Sequence, residues 1–403
     1  LPGFRQVEPA VGRDDLATDL RGTPTPNDDS ARRGAQFALD WRHRFDFGEL
    51  AIDYTRRTRE QWIYSEAGQF ARLSDMTLDS LSPRLRLPHA LFGAKSQLVL
   101  GADWQDWDYA ARDAVTIGLM SQPYSRVSAR QSNIGYYLQE TVDIGDRLSV
   151  LAGARLERQK LSASNTVDLA ATCPFGFCPT AAAPDAATHW QSAWELGGRY
   201  RLSAQWSAFA KTARAFRFNN VDEIYETDAA FNNQFQFLRP QTNHLVELGV
   251  QWATTGSSVK AAIYRNDVRD EIHLDPFTAG VGNTNLPASR RAGVELEGRW
   301  QAADSLRVDG SATWTDARFL EGVYPGGGAL NSNVSGKNVP LVPKRKFNLG
   351  ADWRFLPRTH AKASVTYVGE QYMDNDEANS LGTKMPAYTL VNFRLDHDTG
   401  DML

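Results

Sequence analysis

Arg214, Phe216, Arg217 and Phe218 fall within five residues, and Tyr225, Phe231 and Phe235 follow before residue 238. Guanidinium groups hold anions and stack on flat rings, so this mixture suits capture of a ligand bearing negative charge and aromatic surface. Trp104, Trp107 and Tyr109 make a second aromatic set earlier in the chain. The competing reading is that these rings only pack loops against one another. Covalent chemistry has no comparable support. There is no G-x-S-x-G, no phosphate-binding loop and no H-E-x-x-H, and Asp222 and Glu223 are merely adjacent in sequence. We therefore expect a binding protein with no catalytic residue, no metal and no cofactor.

Two further clusters have bland and functional readings. Cys173 and Cys178 flank Pro-Phe-Gly-Phe, with no histidine nearby to complete a four-ligand zinc site. A disulfide is the better expectation, and it closes so short a loop that the chain-entropy model gives it only about 2 kcal/mol. Asp374, Asp376 and Glu377 could offer oxygens to calcium, but the spacing and glycine of an EF-hand are missing. A solvated loop is the expectation there.

What elements position these residues? The chain has 403 residues and a net charge of −4, which gives no reason to expect nucleic acid as a partner. No run approaches the ~18 apolar residues of a membrane helix, and no secretory signal pattern opens the sequence. What does recur is strict alternation. In "RAGVELEGRW", Val294, Leu296 and Trp300 share one face while Glu295, Glu297 and Arg299 share the other. "RLSVLAGARLE", "HWQSAWELGGRYRL", "LRVDGSATW", "VELGVQW" and "FNLGADW" repeat the pattern. Period two means β-strands with two chemically different faces.

About fifteen such segments occur, most of roughly ten to fifteen residues, longer than the five or six of soluble sheets. Tilted strands of about 9–11 residues are what a bilayer-spanning barrel needs, and closure satisfies its backbone without an edge. The fold class expected is all-β, a transmembrane antiparallel β-barrel with outer-membrane lipid around it. Connections alternate between short turns and long loops, with long loops near 64–76, 111–130, 161–187, 216–238, 272–286, 319–341 and 372–386. That asymmetry places the short turns in the periplasm. Tyr200, Trp206, Trp252, Trp300 and Trp353 all lie beside short turns and should form the periplasmic aromatic girdle. Inward charges such as Arg155, Glu157, Glu195, Arg199, Glu295, Glu297 and Arg299 should pair across strands in a wet lumen.

Five segments in order then resemble one family. "KTARAFRFNNVDEIYE" (211–226) resembles the phrase "FRAPNLDELY" of TonB-dependent outer-membrane receptors, with Asn219 where that phrase has proline. "FLRPQTNHLVELGVQW", "NTNLPASRRAGVELEGRW", "NVPLVPKRKFNLGADWRF" and "YVGEQYMDN…KMPAYTLVNFRLDH" resemble later segments of the same family. The resemblance covers about residues 130–398, and more loosely the part before. It implies a barrel of roughly 22 strands closed by a plug. Such a receptor sits in the outer membrane of a Gram-negative bacterium as a monomer. It imports a scarce nutrient, most often a ferric siderophore, with energy delivered by TonB through the plug. The sequence departs from the family pattern at both ends. It is expected to hold about fifteen of the barrel strands over residues 1–403, without the plug and the last two strands, leaving two unpaired edges. A passive outer-membrane porin is the competing function, against which the odd strand count and the lack of a terminal aromatic residue weigh.

Overall fold

The computed structural model describes residues 27–66, 68–221, 223–228, 232–275, 280–324 and 331–400. Fifteen strands run in sequence order through one sheet, each antiparallel to the next. They are β1 (Asp29–Phe45), β2 (Gly48–Ser65), β3 (Phe70–Leu91), β4 (Ala94–Ala114), β5 (Ser125–Ile144) and β6 (Leu148–Val167). Then come β7 (Asp185–Arg201), β8 (Trp206–Arg217), β9 (Gln241–Ala253), β10 (Ser258–Arg269) and β11 (Ser289–Ala303). The last are β12 (Leu306–Phe319), β13 (Arg345–Leu356), β14 (Thr359–Val368) and β15 (Tyr388–His397). Among the described residues there is no α-helix, and no ladder joins β1 to β15.

The register makes the sheet two-faced. Val294 lies opposite Ile263 and Trp314, and Leu296 opposite Ala261 and Ala312. The same row continues through Phe347, Leu349 and Trp353 on β13. These side chains have no layer over them, and Leu296 is 46% exposed. An apolar face left bare in this way is stable only against hydrocarbon. Below, the row ends on Tyr200, Trp206, Trp252, Trp300 and Trp353, each beside a short turn. Trp206 sits directly opposite Trp252. Above, it ends on Trp104, Trp194 and Trp314, and charges begin at once. Arg130 reaches Asp106 at 2.6 Å, and Arg345 lies 4.6 Å above the ring of Trp314. The apolar run from Val294 to Trp300 is seven residues, about 20 Å of strand.

Two expectations about connections need correction. Residues 66–69 form a link of four residues rather than a long loop, because β2 and β3 extend to 18 and 22 residues. A tight turn at Phe92-Gly93 was not anticipated. Both residues adopt positive φ, 51° and 81°, the conformation that two-residue hairpins favour for matching strand twist. Strands β2 to β6 exceed the ~9–11 residues a bilayer takes. Their surplus extends beyond the span a bilayer takes as a wall, and the candidate site lies against that wall.

Candidate functional site

The inner face of the wall is read by parity. Asp103, Gln105, Trp107 and Tyr109 alternate on β4 and point inward, while Trp104 belongs to the outer row with Leu81 and Ile134. Asn133, Gln131 and Ala129 face inward on β5, and Glu157, Gln159 and Leu161 on β6.

The connection from β8 to β9 folds down onto this wall instead of projecting outward. Val221 and Ile224 are buried with Ala129, Leu161 and Ala163, with Tyr109, Phe235 and Phe237 packed beside them. Gln159 donates to the carbonyl of Asn219 at 2.9 Å. A short hairpin, Tyr225–Asp228 with Asn233–Phe235, carries Tyr225 against Phe235 with centroids 6.0 Å apart. Arg72 fixes the seam from β3. Its guanidinium donates twice to Asp113, at 2.7 and 3.0 Å, and lies 5.8 Å from the Tyr225 ring. Burial opposes the charge on Arg72, but the Asp113 carboxylate outweighs it and raises the pKa. Burial, reinforced by Asp113, pushes the Tyr225 phenol up to about 12, and Tyr124 beside it rises for the same reasons.

Beneath this roof two open recesses share Arg155, Ala193 and Ala215. The upper, about 430 Å³, is bordered by Gln105, Trp107, Gln131, Asn133, Phe216 and Phe218. The lower, about 440 Å³, adds Asp103, Tyr137, Glu195 and Lys211. Arg155 is held between Asp103 at 2.5 Å and Glu157 at 2.6 Å. Gly135 lets it lie close, because a β-carbon there would collide with the guanidinium. Glu157 also accepts from Asn133 at 3.0 Å, and Asn133 in turn accepts from Gln131 at 3.1 Å.

The wall therefore gathers some of the residues singled out in sequence and separates others. Trp107, Phe216 and Phe218 border the upper recess, and Tyr109, Tyr225 and Phe235 belong to the roof's packing. Arg217 is bonded to Glu223, whose other oxygen accepts the Asn220 N–H at 2.7 Å. Trp104 lies outside. Arg214 stands beside Trp194 and His244, donates to Gln191 at 2.9 Å and to Ser192 at 3.3 Å, and contributes to the lining of the lower recess. Phe231 lies outside the described residues. Asp103, Gln105, Arg72 and Asp113 were not singled out, although the alternation through 103–109 already separates the inward Trp107 from the outward Trp104.

Cys173 and Cys178 form a disulfide across a turn whose Phe175 and Phe177 are exposed. The acidic loop is not solvated as expected. Asp376 and Glu377 are buried, and Asp376 accepts the N–H groups of Ser380 and Leu381 at 2.7 and 3.2 Å. His273 from the β10–β11 connection lies 2.9 Å from Asn375 and 3.3 Å from Glu377. No group of three or more His, Cys, Asp or Glu suited to a metal exists among the described residues. Lower in the lumen, Lys211 pairs with Glu195 at 3.0 Å, and Arg199 donates to Ser207 and Gln251. Glu295, Glu297 and Arg299 have no side-chain partner among the described residues.

The family model for the TonB dependent receptor-like β-barrel matches residues 3–402. The chain belongs to the TonB-dependent receptors. It is thus part of an outer-membrane barrel, as the two-faced sheet requires. The ferrioxamine receptor of Yersinia enterocolitica is 28% identical over 172 residues, covering 41% of this chain and 22% of that receptor. The ferrichrome outer membrane transporter/phage receptor of Escherichia coli K12 is 23% identical over 303 residues, covering 73% and 34%. Among solved structures, the unliganded ferric citrate transporter FecA aligns with a TM-score of 0.76 at 17% identity, over 100% of this chain and 58% of that one. The ferric yersiniabactin receptor FyuA of Yersinia pestis aligns at 0.72 and 15%, over 93% and 55%. The copper transporter OprC aligns nearly as well, at 0.71, so the fold alone does not choose a substrate. The chain spans about a fifth to a third of the length of these curated relatives.

Proposed function

We propose that this TonB-dependent receptor barrel captures a ferric siderophore from outside the cell and imports it. The observation that carries the reading is the β8–β9 connection, whose residues 218–221, 223–225 and 232–238 fold inward over a polar and aromatic chamber. A receptor needs a bounded site for a bulky ligand, and this roof bounds one. The ferrioxamine and ferrichrome receptors among its relatives support the same choice. Trp107, Phe216 and Phe218 supply contact surface in the chamber, and Tyr225 and Phe235 hold its roof. Energy is supplied by TonB, and the receptor works as a monomer surrounded by lipid.

The test is uptake of radioactive iron, supplied as ferric siderophores, by iron-starved cells with and without the gene. Uptake that depends on the gene and stops when the proton gradient is collapsed supports active import. Gene-dependent entry that persists without the gradient would mark a diffusion channel.

A further inference from the structure

The outward positions of β10 to β14 follow by register from Val294 and Leu296. Over most of their height they are apolar. At the end away from the short turns they become ionic, with five guanidiniums, Arg265, Arg269, Arg290, Arg318 and Arg345, against two carboxylates, Asp267 and Asp316. No other charged residue stands on the outward face of these strands. Asp267 takes Arg265 at 2.7 Å and Arg290 at 2.6 Å, and Asp316 takes Arg318 at 3.0 Å. Arg345 has no carboxylate partner among the described residues and lies over Trp314. Beside it, Lys344, Tyr367, Tyr372 and Lys384 line a recess of about 300 Å³ together with Arg345. The one carboxylate in that recess, Glu370, is held by Lys384 at 2.7 Å. Two cationic stations result, one around Arg290 on β10 and β11 and one at the recess on β13 and β14. From β10 to β13 is three strand spacings, about 14 Å.

We propose that this outward belt binds the headgroup of a bis-phosphorylated glycolipid in the outer leaflet, one phosphate at each station. The short turns are periplasmic, so the ionic end meets the outer leaflet, which in an outer membrane is built of phosphorylated glycolipid. The carboxylates fix the guanidiniums without exhausting them, because each guanidinium has five N–H donors and a carboxylate engages two at most. The free donors form planar forks that match phosphate oxygens. Excess positive charge directly above hydrocarbon draws anionic headgroups, and the low dielectric there strengthens the attraction. The separation of the stations sets the class of lipid. Two phosphates at opposite ends of a disaccharide can engage both stations, whereas a lipid with a single phosphodiester reaches only one.

The full receptor, purified from outer membranes in detergent and stripped of lipid, is titrated with three probes and read by native mass spectrometry. The probes are a bis-phosphorylated glucosamine-disaccharide lipid, its mono-phosphorylated form and phosphatidylglycerol. The bis-phosphorylated lipid should bind about tenfold more tightly than either of the others, the worth of one further station. Arg290→Gln combined with Arg345→Gln, one change at each station, should weaken its binding by about tenfold or more. Lys346→Gln removes a neighbouring charge from the lumen face, since Lys346 stands opposite Thr313, and should leave binding unchanged. Heat-shifted migration on gels confirms that each variant is folded. Failure to bind the bis-phosphorylated lipid would overturn the proposal, as would equal binding of either other probe. So would an unaffected double variant, or an equal loss in Lys346→Gln, which would trace the binding to net charge rather than to this face.

Discussion

Asp113→Asn should release the chamber roof without unfolding the barrel. Asp113 is 2% exposed and takes both bonds from Arg72, which also faces the rings of Phe70 and Tyr225. Removing one partner of a buried pair costs about 3–5 kcal/mol, because the other charge is left uncompensated. Asparagine can still accept one N–H, and the Arg72 side chain is 28% exposed, so the lower end applies, about 3 kcal/mol. That loss falls on the seam where Val221, Ile224 and Tyr225 meet the wall. The ladders of β3, β4 and β5 stay intact. Hydrogen exchange read by mass spectrometry should show the seam around residues 218–225 opening roughly a hundredfold more often, with the strands unchanged. Arg72→Met should suppress most of the effect of Asp113→Asn, since no buried cation then remains. Unchanged exchange in the loop would refute the argument. So would equal loss of protection throughout the barrel, because the pair would then hold the wall rather than its roof.

Leu296→Arg, at mid-height on the lipid face, should destabilise the folded barrel in bilayers by about 2–4 kcal/mol. Glu297→Gln, one residue away on the lumen face, should change denaturant stability by less than about 0.5 kcal/mol; a reversed order would mean the faces are assigned wrongly. For His273, burial disfavours the charge, but bonds to Glu377 and Asn375 outweigh it and raise the pKa. A raised folded-state pKa adds stability that is full below the unfolded value near 6.5 and lost as pH climbs through the folded one. Hydrogen exchange of the 369–387 loop should therefore quicken as pH rises above about 6.5, after correction for intrinsic rates. His273→Gln should remove that dependence. Cys173→Ser with Cys178→Ser should loosen only residues 168–184, at a cost no greater than about 2 kcal/mol; a collapse of barrel insertion would contradict it.

Alternation by itself determined the fold class, the face each strand turns to lipid, and the lower aromatic belt. This is because a strand's two faces meet different solvents, and each residue's face follows from parity with its neighbours in sequence. The same parity carried enough information to put Trp107 inside and Trp104 outside. Strand lengths were less legible, since above the membrane both faces of β2 to β6 meet water or loops and the alternation blurs. The electrostatics of the chamber were decided only by tertiary structure. Arg155 meets Asp103 across 52 residues and Arg72 meets Asp113 across 41, in each case from separate strands brought into register. Arg217 and Glu223 are close in sequence, but only the inward fold of the loop turns their pair into part of a roof. Charge compensation depends on which strand stands beside which and at what stagger. That is a sum over the whole sheet that no single stretch of sequence contains.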